Sequence, residues 1–135
     1  MRGNLIDRNL RGHVECIRRI LESPVWHEVW SSLSLEFVTL EEAGLTERSP
    51  DDLIWRTCQS NEWCLITGNR NSDGPDSLQK TIERENFAEA LPVFTIGDPD
   101  SVISSRDYAD RVVVRLLEFL LVIDGKRGTG RRYLP

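Results

Sequence analysis

Long apolar runs are missing from this chain. The longest candidate, residues 112–123 (VVVRLLEFLLVI), is interrupted by Arg115 and Glu118. It falls short of the ~20 apolar residues that span a bilayer. The opening stretch MRGNLIDRNL holds no apolar segment of the kind that directs export, so secretion is not expected. Cysteine is scarce. Cys16, Cys58 and Cys64 are scattered and odd in number. This argues against a disulfide framework and for buried free thiols in a reducing cytoplasm. No Cys-x-x-Cys pair exists, so zinc has no ligand pattern to use. A Gly-rich phosphate loop ending in Gly-Lys-Ser/Thr is also missing, which removes the P-loop class of nucleotide enzymes. His13 and His27 have no obvious Ser or Cys partner and are expected away from the loops singled out below, so a hydrolase triad has little support. Excess positive charge is lacking too. The net charge of −5 speaks against a broad nucleic-acid surface, though not against a local one.

What is present suits one soluble domain. The chain has 135 residues, of which 39% are hydrophobic and 29% charged, enough for a single core. There is no internal repeat and no linker. Only the ending departs from the acidic body: KRGTGRRYLP carries Lys126, Arg127, Arg131 and Arg132 and no acid. We expect a domain over residues 1–123 and a basic tail over 124–135.

The patterning alternates between two periods. A short apolar stretch ends at Asp7. Leu10, Val14, Ile17 and Leu21 follow at helical spacing, and Pro24 stops that helix. Residues 25–32 are ambiguous. Residues 33–40 alternate at period two and predict a strand. Ser49, Pro50, Asp51 and Asp52 predict a helix start, with Ser49 as the cap, and a helix to about Ser60. Residues 63–67 (WCLIT) form an unbroken apolar run, as a buried parallel strand does. A helix from Asp76 or Ser77, a strand over 92–96, a turn at 97–100 (GDPD) and a long helix over 104–123 complete the order. Four strands alternating with helices predict a three-layer α/β/α fold with a mostly parallel sheet of four to five strands. In such sheets ligands bind beyond the carboxyl ends of the strands.

Acids collect at those ends: Asp7, Asp51 and Asp52, Asp73 and Asp76, Asp98 and Asp100. Carboxylates brought together repel unless a cation neutralises them. Hard divalent cations prefer such oxygen ligands. Each acid also has a plain structural explanation. Asp51 and Asp52 suit the first turn of a helix, and the run Ser-Asp-Gly-Pro-Asp is turn chemistry. Trp26 and Trp30 are four apart. If helical they share a face, either as an exposed binding patch or as part of the core.

Three motifs together resemble a known family. Residues 7–9 (DRN) are similar to an Asp-x-Asn signature at the end of a first strand. Residues 44–55 (GLTERSPDDLIW) resemble a Gly-Leu followed by an acid-started helix. Residues 65–71 (LITGNRN) resemble a strand of the form Leu-Ile-Thr-x-Asp-x-Asp. This is the pattern of short prokaryotic PIN-like proteins, which resemble the ribonuclease toxins of toxin–antitoxin pairs. The resemblance covers roughly residues 4 to 97. It implies a Mg²⁺- or Mn²⁺-dependent ribonuclease. Asp7, Asp51, Asn69 and Asp73 are then the catalytic set, and Asp7, Asp51 and Asp73 the metal ligands. Here Asn69 and Asn71 replace the family's usual acids, with Asp73 near enough in sequence to stand in. Arg70, Arg127, Arg131 and Arg132 become candidates for phosphate contact. RNA, a small antitoxin protein and a second copy of the chain are the expected partners. The two Asn replacements keep a second expectation open: a module that has lost its chemistry and binds a protein or nucleic acid.

Overall fold

The computed structural model describes all residues, Met1–Pro135. Five strands form one all-parallel sheet: β1 (Gly3–Ile6), β2 (Glu36–Val38), β3 (Trp63–Thr67), β4 (Val93–Ile96) and β5 (Arg131–Leu134), in the order β2-β1-β3-β4-β5. Six helices cover its faces: α1 (Arg11–Leu21), α2 (His27–Leu33), α3 (Asp51–Ser60), α4 (Leu78–Glu85), α5 (Pro99–Ser104) and α6 (Arg106–Leu121). The expected three-layer α/β/α architecture is what the chain adopts. No helix is long and apolar enough to cross a membrane.

Strand periodicity divides the core in two. Ile6, Cys64, Ile66, Phe94, Ile96 and Leu134 face α1, α5 and α6. Leu5, Leu65 and Val93 face α3 and α4. Burial on both faces explains why β3 reads as a nearly continuous apolar run. The α1 positions Leu10, Val14, Ile17 and Leu21 are all buried, as their spacing requires. On α6 the charged stripe lies outward, with Arg111 paired to Asp107 at 3.3 Å and Arg115 to Glu118 at 3.6 Å.

Several boundaries differ from the expectation. Of the ambiguous residues 25–32, those from His27 onward enter helix α2, which also takes Leu33 and leaves β2 only three residues long. Ser34, in the left-handed region at φ 52°, closes that helix. Trp26 and Trp30 pack against the core, and Trp30 stacks on Phe37 with ring centroids 5.3 Å apart. Both are half-buried and lie against the edge of the core. Helix α3 starts one residue late, at Asp51. Ser49 does not cap it, because its Oγ accepts from the Thr46 amide at 3.0 Å instead. Ser77 does cap α4, accepting from the Lys80 amide at 3.3 Å. The GDPD segment is more than a turn. Pro99 opens α5, and Ser105 then caps α6 through the Tyr108 amide.

The largest correction concerns the ending. Residues 124–135 are not a tail. A short 3-10 turn (Ile123–Lys126) leads into β5, which pairs along the whole of β4 with Leu134 fully buried. The single apolar residue Leu134 fills the α6 side of the sheet. The cations flanking it hid the strand from a charge-based reading.

Candidate functional site

The sheet order reverses direction between β1 and β3. The chain leaves β1 for β2 on one side and returns to β3 on the other. Crevices beyond the carboxyl ends of strands at such a switch point are where α/β sheets bind ligands. An open cleft of about 460 Å³ lies there, lined among others by Asp7, Arg8, His13, Asp51, Asn69 and Asp100. The chain leaves β1 through Asp7-Arg8-Asn9. Asn9 adopts a left-handed φ of 64°, which Asn tolerates, and this turns the chain into α1. Gly68 gives a close approach where the chain leaves β3. A Cβ there would sit 3.0 Å from the Pro99 ring carbon on the opposite wall.

Asp7 is buried at the floor. Its Oδ2 accepts from the Thr67 hydroxyl at 2.6 Å, and its Oδ1 from the Arg8 amide at 2.8 Å. Burial pushes its carboxyl above the ordinary value of 3.8. The negative charge of Asp51 works in the same direction. The Thr67 and Arg8 bonds and the Arg8 charge pull back only in part. Asp51 stands at the first turn of α3. The Arg8 guanidinium lies between the two acids, 3.6 Å from an oxygen of each, and donates to the Ser49 carbonyl.

Asn69 meets Asp51 as a donor. Its side-chain nitrogen gives a hydrogen bond to Asp51 Oδ2 at 3.0 Å, while its Oδ1 accepts from the Asn71 amide at 2.8 Å. Asn71 Oδ1 in turn accepts from the Asp73 amide at 2.9 Å. The two asparagines thus shape the loop by bonding the amide two residues on. Asn69 is therefore a positioning group here, and its oxygen is turned away from Asp51. Asp73 is exposed and does not line the cleft, so it does not replace a missing acid. Asp76 lies within 4.0 Å of Arg84. Asp98 bonds Ser101 Oγ at 2.6 Å, as a helix-start residue does.

The four arginines fare differently. Arg70 is exposed on the loop after β3. Arg127 is tied to Asp124 at 3.0 Å, to Glu62 at 3.3 Å and to the Glu89 carbonyl at 2.8 Å. It is a structural clamp and not a phosphate arm. Arg131 and Arg132 are half-buried on β5.

Protein-family models, curated proteins and solved structures were compared with the chain. None of them matches. The functional reading therefore rests on the cleft.

No three His, Cys, Asp or Glu side chains gather as a ready chelate. Two carboxylates, Asp7 and Asp51, do line the cleft, and one or two carboxylates with several waters is the donor set that Mg²⁺ commonly takes. Arg8 now supplies the positive charge between them, so a bound cation must displace its guanidinium. Asp100, on the first turn of α5, adds a third negative charge to the same cleft.

Sequence reasoning passed over three of these residues. Arg8 lay inside the Asp-x-Asn motif as the unassigned position. His13 was placed far from the loops, yet it lines the cleft, and its Nδ1 is buried without a protein partner. The short connection from β1 was the available signal, since the first turn of the helix after a strand must rise beside that strand's end. Asp100 stood among the strand-end acids but was given no role, because GDPD reads as a turn.

Proposed function

We propose that this cleft is the centre of a PIN-like, Mg²⁺- or Mn²⁺-dependent nuclease acting on single-stranded RNA. One observation carries the reading. Asp7 and Asp51, far apart in sequence, converge at the switch point of the sheet, and Asp7 is kept in a buried place that disfavours its charge. Perturbed, buried carboxylates in a cleft mark working sites. A buried acid beside a second carboxylate is what a bound cation would relieve.

Each residue then has a task. Asp7 and Asp51 would hold the cation. It would supply charge to the developing phosphorane oxygens and lower the pKa of a bound water. Thr67 keeps the Asp7 carboxylate aimed into the cleft, and Asn69 does the same for Asp51. His13 lines the same cleft and closes its α1 side. Arg70, exposed at the rim, is the arginine best placed to meet a phosphate of a passing strand.

The position of Arg8 favours a second reading, a module that binds without cleaving. A fixed cation already occupies the place between the acids. The two readings separate in one experiment. A mixed pool of labelled RNA is incubated with Mn²⁺, with Mg²⁺ and with EDTA, using the wild type and Asp7→Asn. The nuclease reading expects cleavage that needs metal and drops at least ~100-fold in the variant. A folded wild type that neither cleaves nor binds Mn²⁺ leaves the binding module as the function.

A further inference from the structure

The last strand is connected to the cleft through one side chain. Arg131 projects from β5 on the face covered by α3 and α4. Its Nε donates to Gln79 Oε1 of α4 at 2.9 Å. Its Nη1 donates to the Thr95 hydroxyl of β4 at 2.6 Å and to the Asn69 carbonyl at 2.7 Å. These are all neutral oxygens. Burial pushes its pKa below the ordinary value, and the charge of Arg70 pushes the same way. A half-buried guanidinium with no carboxylate partner is a costly way to fill space. The strand position would be cheaper with an apolar residue, so the hydrogen bonds it makes need a purpose.

The purpose lies in Asn69. All four of its polar groups are engaged. The backbone N–H donates to Thr67 Oγ1 at 2.9 Å, the side-chain nitrogen to Asp51 at 3.0 Å, and Oδ1 accepts from the Asn71 amide at 2.8 Å. Arg131 takes the fourth, the carbonyl. The Thr67 hydroxyl that receives the Asn69 amide is the one that holds Asp7. A continuous chain of hydrogen bonds therefore runs from β5 to both acids.

We propose that Arg131 is a positioning residue of the cleft. By holding the Asn69 carbonyl it sets Asn69 between Asp51 and Thr67, and so fixes the aim of both carboxylates. The role goes beyond the nuclease reading and rests on that reading only for its activity readout. It also differs from the phosphate contact expected for a basic tail, and the two roles predict opposite kinetics.

The test compares wild type with Arg131→Lys, Arg131→Gln and Arg132→Gln, using Mn²⁺-dependent RNA cleavage and the NMR signals of Asn69. The positioning role expects kcat to fall ~10- to 100-fold in Arg131→Gln, the usual effect of losing a group that orients a metal ligand. KM stays within about twofold, and Arg132→Gln matches wild type. Lysine does not restore kcat, because one ammonium cannot reproduce the planar fork that reaches Asn69, Thr95 and Gln79 together. The Asn69 backbone and side-chain amide signals shift in Arg131→Gln and Arg131→Lys and stay in place in Arg132→Gln. A raised KM with normal kcat, restored by lysine, overturns the proposal in favour of a phosphate contact. So do unmoved Asn69 signals. If the wild type shows no cleavage, the nuclease reading fails by itself, and the Asn69 signals still decide the role of Arg131. If Arg131→Gln does not fold, Gln79→Ala removes one anchor of the guanidinium. It is expected to move the same signals less, and unmoved signals there also overturn the proposal.

Discussion

Asp51 and Asp52 are neighbours on the first turn of α3, and they belong to two very different arginine–carboxylate groups. Asp52 faces α4, away from the cleft. It pairs with Arg56 at 3.2 Å, and Arg56 also grips both oxygens of Glu85 at 2.8 and 2.6 Å. These bonds, with that of Arg84, hold the Glu85 carboxyl down to about 2. Asp51 faces the cleft. It meets Arg8 at 3.6 Å and, through Arg8, the buried Asp7, whose carboxyl is pushed up by burial. One group is exposed, close-fitting and electrostatically content. The other is loose, partly buried and under-compensated. Bidentate geometry with a depressed carboxylate is what a surface clamp between two helices needs. A buried acid whose ionised form is disfavoured stabilises nothing by itself, and such conflict between local rules and the fold collects at functional sites.

Asp7 is where the two groups should diverge most. Since burial raises the folded-state pKa of Asp7, its ionised form costs folding free energy. The folded state gains from the protonated form at low pH, and that gain is lost as pH rises through the folded pKa, above 3.8. Asp7→Asn should therefore stabilise the protein at neutral pH while abolishing metal-dependent cleavage. Each tenfold weakening of proton release that the substitution relieves corresponds to ~1.4 kcal/mol, and ~1 kcal/mol moves the melting temperature by roughly 3–5 °C in a domain of this size. The gain should vanish in acid, where the wild-type carboxyl is protonated. Melting curves from neutral to acid pH check it, and a neutral-pH loss of stability in Asp7→Asn contradicts the strained-acid reading.

Arg8 carries the next largest effect. If its guanidinium stands in for a cation, Arg8→Gln frees the acid pair. Mn²⁺ affinity, measured by calorimetry, should rise ~5-fold, the order expected for removing one partly screened charge. The Asp7 carboxyl should rise further, since Arg8 now pulls it down. Weaker Mn²⁺ binding in this variant would mean that Arg8 supports the site and does not compete with it.

The sequence made part of this legible and hid the rest for physical reasons. Apolar runs such as WCLIT and the spacing from Leu10 to Leu21 reveal strands and helices because burial repeats at the period of each element. The acids Asp7 and Asp51 were visible because strand ends and helix starts have fixed places in a parallel fold. Asp73 was misjudged because distance along a loop says nothing about where the loop points. A series of side-chain-to-amide bonds at Asn69 and Asn71 carries it outward. Arg127 and Arg131 look solvent-seeking in the sequence because both are charged, yet each is bonded within the fold. Arg127 is spent on two acids and a carbonyl, and Arg131 on neutral oxygens beneath α4. No composition rule separates a cation that reaches for a ligand from one that ties the protein to itself.

The smallest effect should come from the group that looks strongest on paper. Arg56→Ala removes the bidentate bonds to Glu85 and the pairing with Asp52 together, joining α3 to α4 less firmly. Exposed pairs are screened and pay side-chain entropy, so good geometry there yields little stability. The sign is opposite to that at Asp7. A carboxyl held below its ordinary value of 4.5 stabilises the fold above that value, and the contribution is lost as pH falls toward about 2. Arg56→Ala should thus lower the melting temperature slightly at neutral pH and not at all in strong acid. Molar salt should shrink the difference, because screening acts on exposed charges first. RNA cleavage and Mn²⁺ affinity should be unchanged, since Arg56 faces away from the cleft across the same helix turn. A variant at Arg56 that altered either would show that α3 transmits strain from Asp52 to Asp51, and the two groups would then have to be treated as one.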